Sequence, residues 1–125
     1  MRTKSTSLND LIQKAKSHPD IEKAGMILCH NGIVRAWDRE GVKKVRGVRV
    51  TFDRQKLEEV RAWAETQPGI VCVLMEAFEG ELKVGDDLLF IVVAGDIREN
   101  VLSVMRDVID KAKATGVQKT EIYVE

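Results

Sequence analysis

The longest unbroken apolar run in the chain, Leu88-Leu89-Phe90-Ile91-Val92-Val93-Ala94, lies between two turn signals, Gly85-Asp86-Asp87 and Gly95-Asp96. A run this short and this rich in branched side chains predicts a buried strand rather than a helix. Beyond it the period changes. Val101, Val104, Met105, Val108 and Ala112 recur at helical spacing, which predicts a helix lying on the sheet by that face and stopping at Gly116. Asp96 is placed to cap this helix, with Glu99 three residues on to close a capping box.

The same reading extends to the rest of the chain. Ser7 and Asp10 signal a short helix with Leu8, Leu11, Ile12 and Ala15 on its apolar face, ended by His18-Pro19-Asp20. Residues 25–35 form an apolar strand pattern containing Asn31-Gly32, a pair that marks either a tight turn or a bulge where something approaches the backbone. Residues 37–49 are polar and aperiodic, as in a solvated loop, or in an arm over an anionic ligand. Val48 to Phe52 alternate as a half-exposed strand does, and Asp53 then caps a helix that turns Leu57, Val60, Ala64 and Trp63 inward and ends at Gln67-Pro68-Gly69. Residues 70–75 form a further strand, and Gly80 turns the chain toward the central one. Helices and strands mix without a regular βαβ repeat, so the expected fold is α+β: a single domain over 1–125 with three helices and a mixed, largely antiparallel sheet.

Composition narrows the function. Lys and Arg number 20 and so do Asp and Glu, giving a formal net charge of zero. A protein that binds nucleic acid by neutralising phosphates carries a basic excess, so Lys43 to Arg49 are a weak candidate for that role and no nucleic-acid partner is expected. Cys29 and Cys72 each sit inside an apolar run, as buried reduced thiols do. His18 and His30 have no ligand-spaced partner, so no metal site is expected. The start, Met-Arg-Thr-Lys-Ser-Thr-Ser, has no apolar stretch after its basic residues and no run reaches membrane-spanning length, which gives a cytoplasmic expectation with no membrane partner.

Several blocks between Gly25 and Glu121 together resemble the large, catalytic subunit of molybdopterin synthase. The family's Gly-rich apolar strand leading into Gly-x-Val-Arg is matched by Gly25 to Arg35, ending in Gly32-Ile33-Val34-Arg35. Its turn before an apolar strand is matched by Gly80, Gly85-Asp86 and Leu88 to Val93. Arg98 stands where the family opens a helix with Arg, and Asp110, Lys113, Lys119 and Glu121 follow its closing pattern. The departures fall on polar positions. Ala77-Phe78-Glu79-Gly80 replaces a His-Arg-x-Gly element, Ile97 replaces a His, His30 replaces an aromatic and Gln118 a Trp. The two lysines stand one residue closer together, and the chain ends at Glu125, short of the family's tail.

The resemblance implies an α/β-hammerhead fold, a homodimer and a ubiquitin-like small-subunit partner. It also implies transfer of sulfur from that partner's C-terminal thiocarboxylate to a cyclic pyranopterin phosphate in molybdenum cofactor biosynthesis, with no cofactor of the protein's own. Arg35 and Arg98 would then bind the anionic pterin, since guanidinium groups grip phosphate oxygens through paired donors. Lys113 and Lys119 would be catalytic. Ammonium groups held close disfavour each other's charge, so one could move a proton or attack an acyl carbon. Glu121 would orient one of them. The second reading is a homologue without turnover, a dimeric module that binds the small subunit or a pterin. On their own terms Lys113 is also an ordinary lysine at a helix end, and Arg35 an ordinary partner for Asp38 or Glu40.

Overall fold

A computed structural model describes residues 6–124. The elements run α1 (Leu8–Lys16), β1 (Met26–Ile33), β2 (Val45–Phe52), α2 (Arg54–Glu65), β3 (Ile70–Ala77), β4 (Gly80–Lys83), β5 (Asp87–Gly95), α3 (Arg98–Lys111) and β6 (Val117–Tyr123). A short 3₁₀ turn, Ile21–Lys23, precedes β1, and a π-helical turn, Ala112–Gly116, joins α3 to β6. The positively charged start of the sequence and Glu125 lie outside the described residues.

The strands form two three-stranded sheets instead of one, ordered β1-β5-β3 and β4-β2-β6, and every pairing is antiparallel. The apolar run is the middle strand of the first sheet and is buried on both faces. Leu89, Ile91 and Val93 pack with Leu57 and Val60 of α2 and Val101, Val104 and Val108 of α3. Phe90, Val92 and Ala94 turn the other way, onto Leu11 and Ala15 of α1 and Val45, Val48, Val50 and Leu82 of the second sheet. Phe90 meets Phe78 edge to face, with ring centroids 5.1 Å apart. Each such side chain removed from water contributes about 1.5–3 kcal/mol, which is why the layers assemble around this strand.

The helix starts follow local chemistry at two of three places. Ser7 and Asp10 close the expected capping box, with Asp10 N–H donating to Ser7 Oγ at 3.0 Å and Ser7 N–H to Asp10 Oδ2 at 2.9 Å. Asp53 accepts from Lys56 N–H at 3.0 Å. The box expected of Asp96 and Glu99 does not form. The cap position of α3 is Ile97, without a side-chain bond. Asp96 is held instead by the end of the sheet. Its N–H donates to the Gly69 carbonyl at 2.9 Å, and its Oδ1 accepts from Asn100 Nδ2 at 2.9 Å. Gly69, at φ +79°, leaves the space: a Cβ there would stand 2.2 Å from Asp96 Oδ1.

The Asn31-Gly32 pair is a bulge and not a turn. β1 runs on to Ile33, and its register against β5 slips between Gly32 and Ile33. Trp63 is half-buried, with the Lys111 ammonium 4.6 Å from its ring centroid. Cys72 is buried and Cys29 half-buried, and burial raises both thiols above their ordinary pKa.

Candidate functional site

The end of β1, the start of β5, the π turn and β6 meet around a cavity of about 740 Å³. Its apolar wall is Val34, Val48, Leu88, Leu89 and Val117, and its charged wall is Arg35, Arg39, Lys113, Lys119 and Glu121. That volume lies in the range of small-molecule sites, and a few convergent polar groups on an apolar wall are what such sites use to orient a ligand.

Each charged side chain arrives there for a local reason. In β6, Lys119 pairs with Val50 and Glu121 with Val48, both of which are buried. Directly opposed residues share a face of the sheet, so the two polar side chains project on the inner side while Gln118 and Thr120 point away. Lys113 sits on the π turn, where the widened backbone carries the chain off α3 toward β6; Gly116 closes that turn, and a Cβ on it would collide with Leu57. Such turns inside helices often mark functional positions.

Arg35 and Arg39 lie on the segment after the bulge. This segment is a loop held by its own hydrogen bonds. Asp38, only 7% exposed, accepts from the N–H groups of Val42 and Lys43 through Oδ1 at 3.0 and 3.3 Å, and Val45 N–H donates to the Ala36 carbonyl at 2.7 Å. Asp38 is thus used by the backbone and is not the ion-pair partner of Arg35. Among the described residues, none of Arg35, Lys113 and Lys119 stands within ion-pairing distance of a carboxylate. Glu121 does not neutralise a lysine either: its Oε1 accepts from the Tyr123 hydroxyl at 3.1 Å, which raises the phenol above its ordinary pKa. The wall is therefore cationic on balance, with guanidinium and ammonium donors unspent, and suits an anion.

Of the five residues singled out in the sequence, Arg35, Lys113, Lys119 and Glu121 line this one cavity. Arg98 does not. It is exposed at the start of α3, beyond the far end of β5, roughly 20 Å along the strand from Leu89.

Two residues join the site that the sequence did not single out. Arg39 belongs to the polar stretch whose second reading, an arm over an anionic ligand, carried the signal. His30, read as a half-buried strand residue, lines the cavity with its Nε2 buried and without a hydrogen-bond partner. Burial, and then the Lys113 ammonium, push this imidazole below its ordinary pKa. No group of three or more His, Cys, Asp or Glu side chains among the described residues could hold a metal ion. No helix among them is long and apolar enough to cross a membrane.

Comparison with known proteins gives the chain its relatives. A probable molybdopterin synthase of Haloferax volcanii is 29% identical over 115 residues, covering 86% of this chain and 42% of that protein, so the chain spans less than half the length of this curated relative. Molybdopterin synthase from Staphylococcus aureus superposes with a TM-score of 0.73 at 18% identity, covering 91% of this chain and 85% of that one. The molybdopterin biosynthesis MoaE protein from Burkholderia ambifaria gives 0.74 at 19% identity, covering 97% and 85%. A chain from the complex of subunits 1 and 2 of the molybdopterin-converting factor of Helicobacter pylori gives 0.69 at 20% identity, covering 97% and 86%. These structures share the fold of three helices and two antiparallel sheets. The sequence pattern of the MoaE protein family runs through residues 1–115, from before α1 to the π turn that carries Lys113, and the chain belongs to that family.

Proposed function

We propose that this protein is a molybdopterin synthase catalytic subunit, active in molybdenum cofactor biosynthesis. It moves sulfur from the C-terminal thiocarboxylate of a ubiquitin-like small subunit onto a cyclic pyranopterin phosphate. The observation that carries the reading is the gathering of Arg35, Lys113 and Lys119, from three separate parts of the chain, on one cavity where none of the three has a carboxylate partner among the described residues. Arg35, joined by Arg39, holds the phosphate. Lys113 and Lys119 carry the proton movements or attack the acyl carbon, and stabilise the oxyanion that develops there. Glu121, held by Tyr123, borders the amines. Arg98 binds substrate from a second copy in a homodimer, since it lies too far from the cavity of its own chain. The setting is the cytoplasm.

Reconstitution with a thiocarboxylated small subunit and the pterin precursor tests this. Lys119→Ala and Lys113→Ala are expected to abolish dithiolene formation while the protein stays folded, and full activity in both variants would remove the catalytic assignment.

One observation favours the second reading, a module that binds without turnover. Where the family carries a His-Arg pair, this chain has Ala77 and Phe78, both buried in the core. Binding of the small subunit and precursor with no product from the wild-type protein would select it.

A further inference from the structure

Among the described residues, His30 is the one polar side chain of the cavity wall that the proposed chemistry leaves idle. It projects from β1 on the face that carries Leu28 and Met26 toward α3, and its Nε2 is buried with nothing to bond. A buried imidazole nitrogen without a partner costs free energy that a bound group could recover. A Cβ on Gly32 would stand 3.1 Å from this nitrogen, so the strand itself leaves the ring room at the cavity edge.

The charges around the ring are one-sided. The Lys113 ammonium on the π turn acts on it directly, and the cavity it lines also carries Arg35 and Arg39 from the loop after β1 and Lys119 and Glu121 from β6. Glu121 is the single carboxylate among these and is already engaged by Tyr123. Across the sheet it meets Ile91 of β5, which is apolar. Arg106 and Asp110 of α3 line a separate groove over Leu28. With the cavity free, burial and then the Lys113 ammonium disfavour the charged form of the imidazole. A dianion seated among the same cations offsets part of their charge and lowers the cost of a further positive charge on the ring.

We propose that His30 is a further ligand-binding residue of this cavity, and that as an anionic ligand enters its imidazole takes up a proton, turns its buried Nε2 toward the cavity and donates a hydrogen bond to the ligand from there. The inference rests on the reading of the cavity as an anion site. Binding is then linked to protonation: the bound state holds a proton that the free state does not, so affinity rises as pH falls through the imidazole range.

Inorganic sulfate is the probe, because its charge is constant across that range. Calorimetric titration at fixed ionic strength is expected to show tighter binding at about pH 6 than at about pH 8, by about threefold and at most the factor of about ten that one pK unit of rise in the ring allows. The heat should depend on the buffer as proton uptake requires. In NMR spectra the His30 ring signals should move on adding sulfate, while those of His18, whose Nδ1 accepts from Asp20 N–H, serve as the internal control. His30→Phe should keep sulfate binding without its pH dependence. His30→Gln, a hydrogen-bonding but non-titrating replacement, should bind better than His30→Phe and equally without pH dependence. Thermal unfolding of each variant reports its fold. A pH dependence that survives in His30→Phe, or sulfate binding that leaves the His30 signals unmoved, would overturn the inference while leaving the anion site standing. No saturable sulfate binding to the wild-type protein at either pH would remove the anion site and this role together.

Discussion

The two sheets use similar apolar residues to opposite ends. In the first, β5 is covered on both sides, by α2 and α3 on one and by α1 and the second sheet on the other, and its residues from Leu89 to Gly95 are all buried. In the second, β2 alternates between buried Val48 and Val50 and exposed Arg49 and Thr51, and its partner β6 adds Lys119 and Glu121 at the rim of the cavity. A strand sealed on both faces, as β5 is, supplies stability and no chemistry. A sheet with one face open can lend side chains to a ligand because little packing depends on them. The contrast predicts that substitutions in β5 act on folding and those in β6 on function.

The largest effect expected on that basis is from Phe90→Ala. It removes an aromatic ring that touches Phe78 and fills the space between the sheets, and the cost should be about 3–5 kcal/mol, read as a lower denaturation midpoint in urea. Lys119→Ala, on the open sheet, should leave stability within about 0.5 kcal/mol and lower the rate of sulfur transfer by roughly 10²-fold or more. If Lys119→Ala instead unfolded the protein, the division of labour between the sheets would fail.

What the sequence disclosed follows the same division. The covered sheet and its helices were legible because burial imposes a period: the predicted face of α3 is the buried one, and Asp53 caps α2 where expected. The open part was harder to read. Whether Asn31-Gly32 turned the chain depended on β5 pairing along its whole length, and the π turn after Lys111 depended on Gly116 packing against Leu57. Asp96 has every local feature of a cap and was diverted by Gly69, a residue distant in sequence. The separation of Arg98 from the cavity follows from strand direction, which no short motif encodes.

Smaller effects sharpen the comparison. Asp53→Ala removes the side-chain bond to Lys56 N–H at the start of α2 and should cost about 1 kcal/mol by thermal or urea unfolding. A weaker effect comes from His30. Its pKa in the folded protein lies below the unfolded value, so over the intervening pH the unfolded chain binds more protons and stability rises with pH. In the absence of anions the wild-type protein should therefore lose stability as pH falls through the ordinary imidazole range, and His30→Phe should lose less. Urea midpoints measured across that range check it.

The smallest expected effect tests the outer face of the second sheet. Arg49 and Glu81 are directly paired across β2 and β4, with 3.2 Å between Nη2 and Oε1 and side chains 62% and 58% exposed. Opposite charges on facing positions attract, but at this exposure water screens them and two long side chains must be ordered, so the pair should contribute only about 0.2–1 kcal/mol. A double-mutant cycle with Arg49→Ala and Glu81→Ala measures the coupling, and about 1 M salt should nearly remove it. A coupling that stayed the same in salt would mean that this face is not open to water but desolvated by a second protein. The second sheet would then be covered on both sides like the first, and the contrast between them would hold only within the isolated chain.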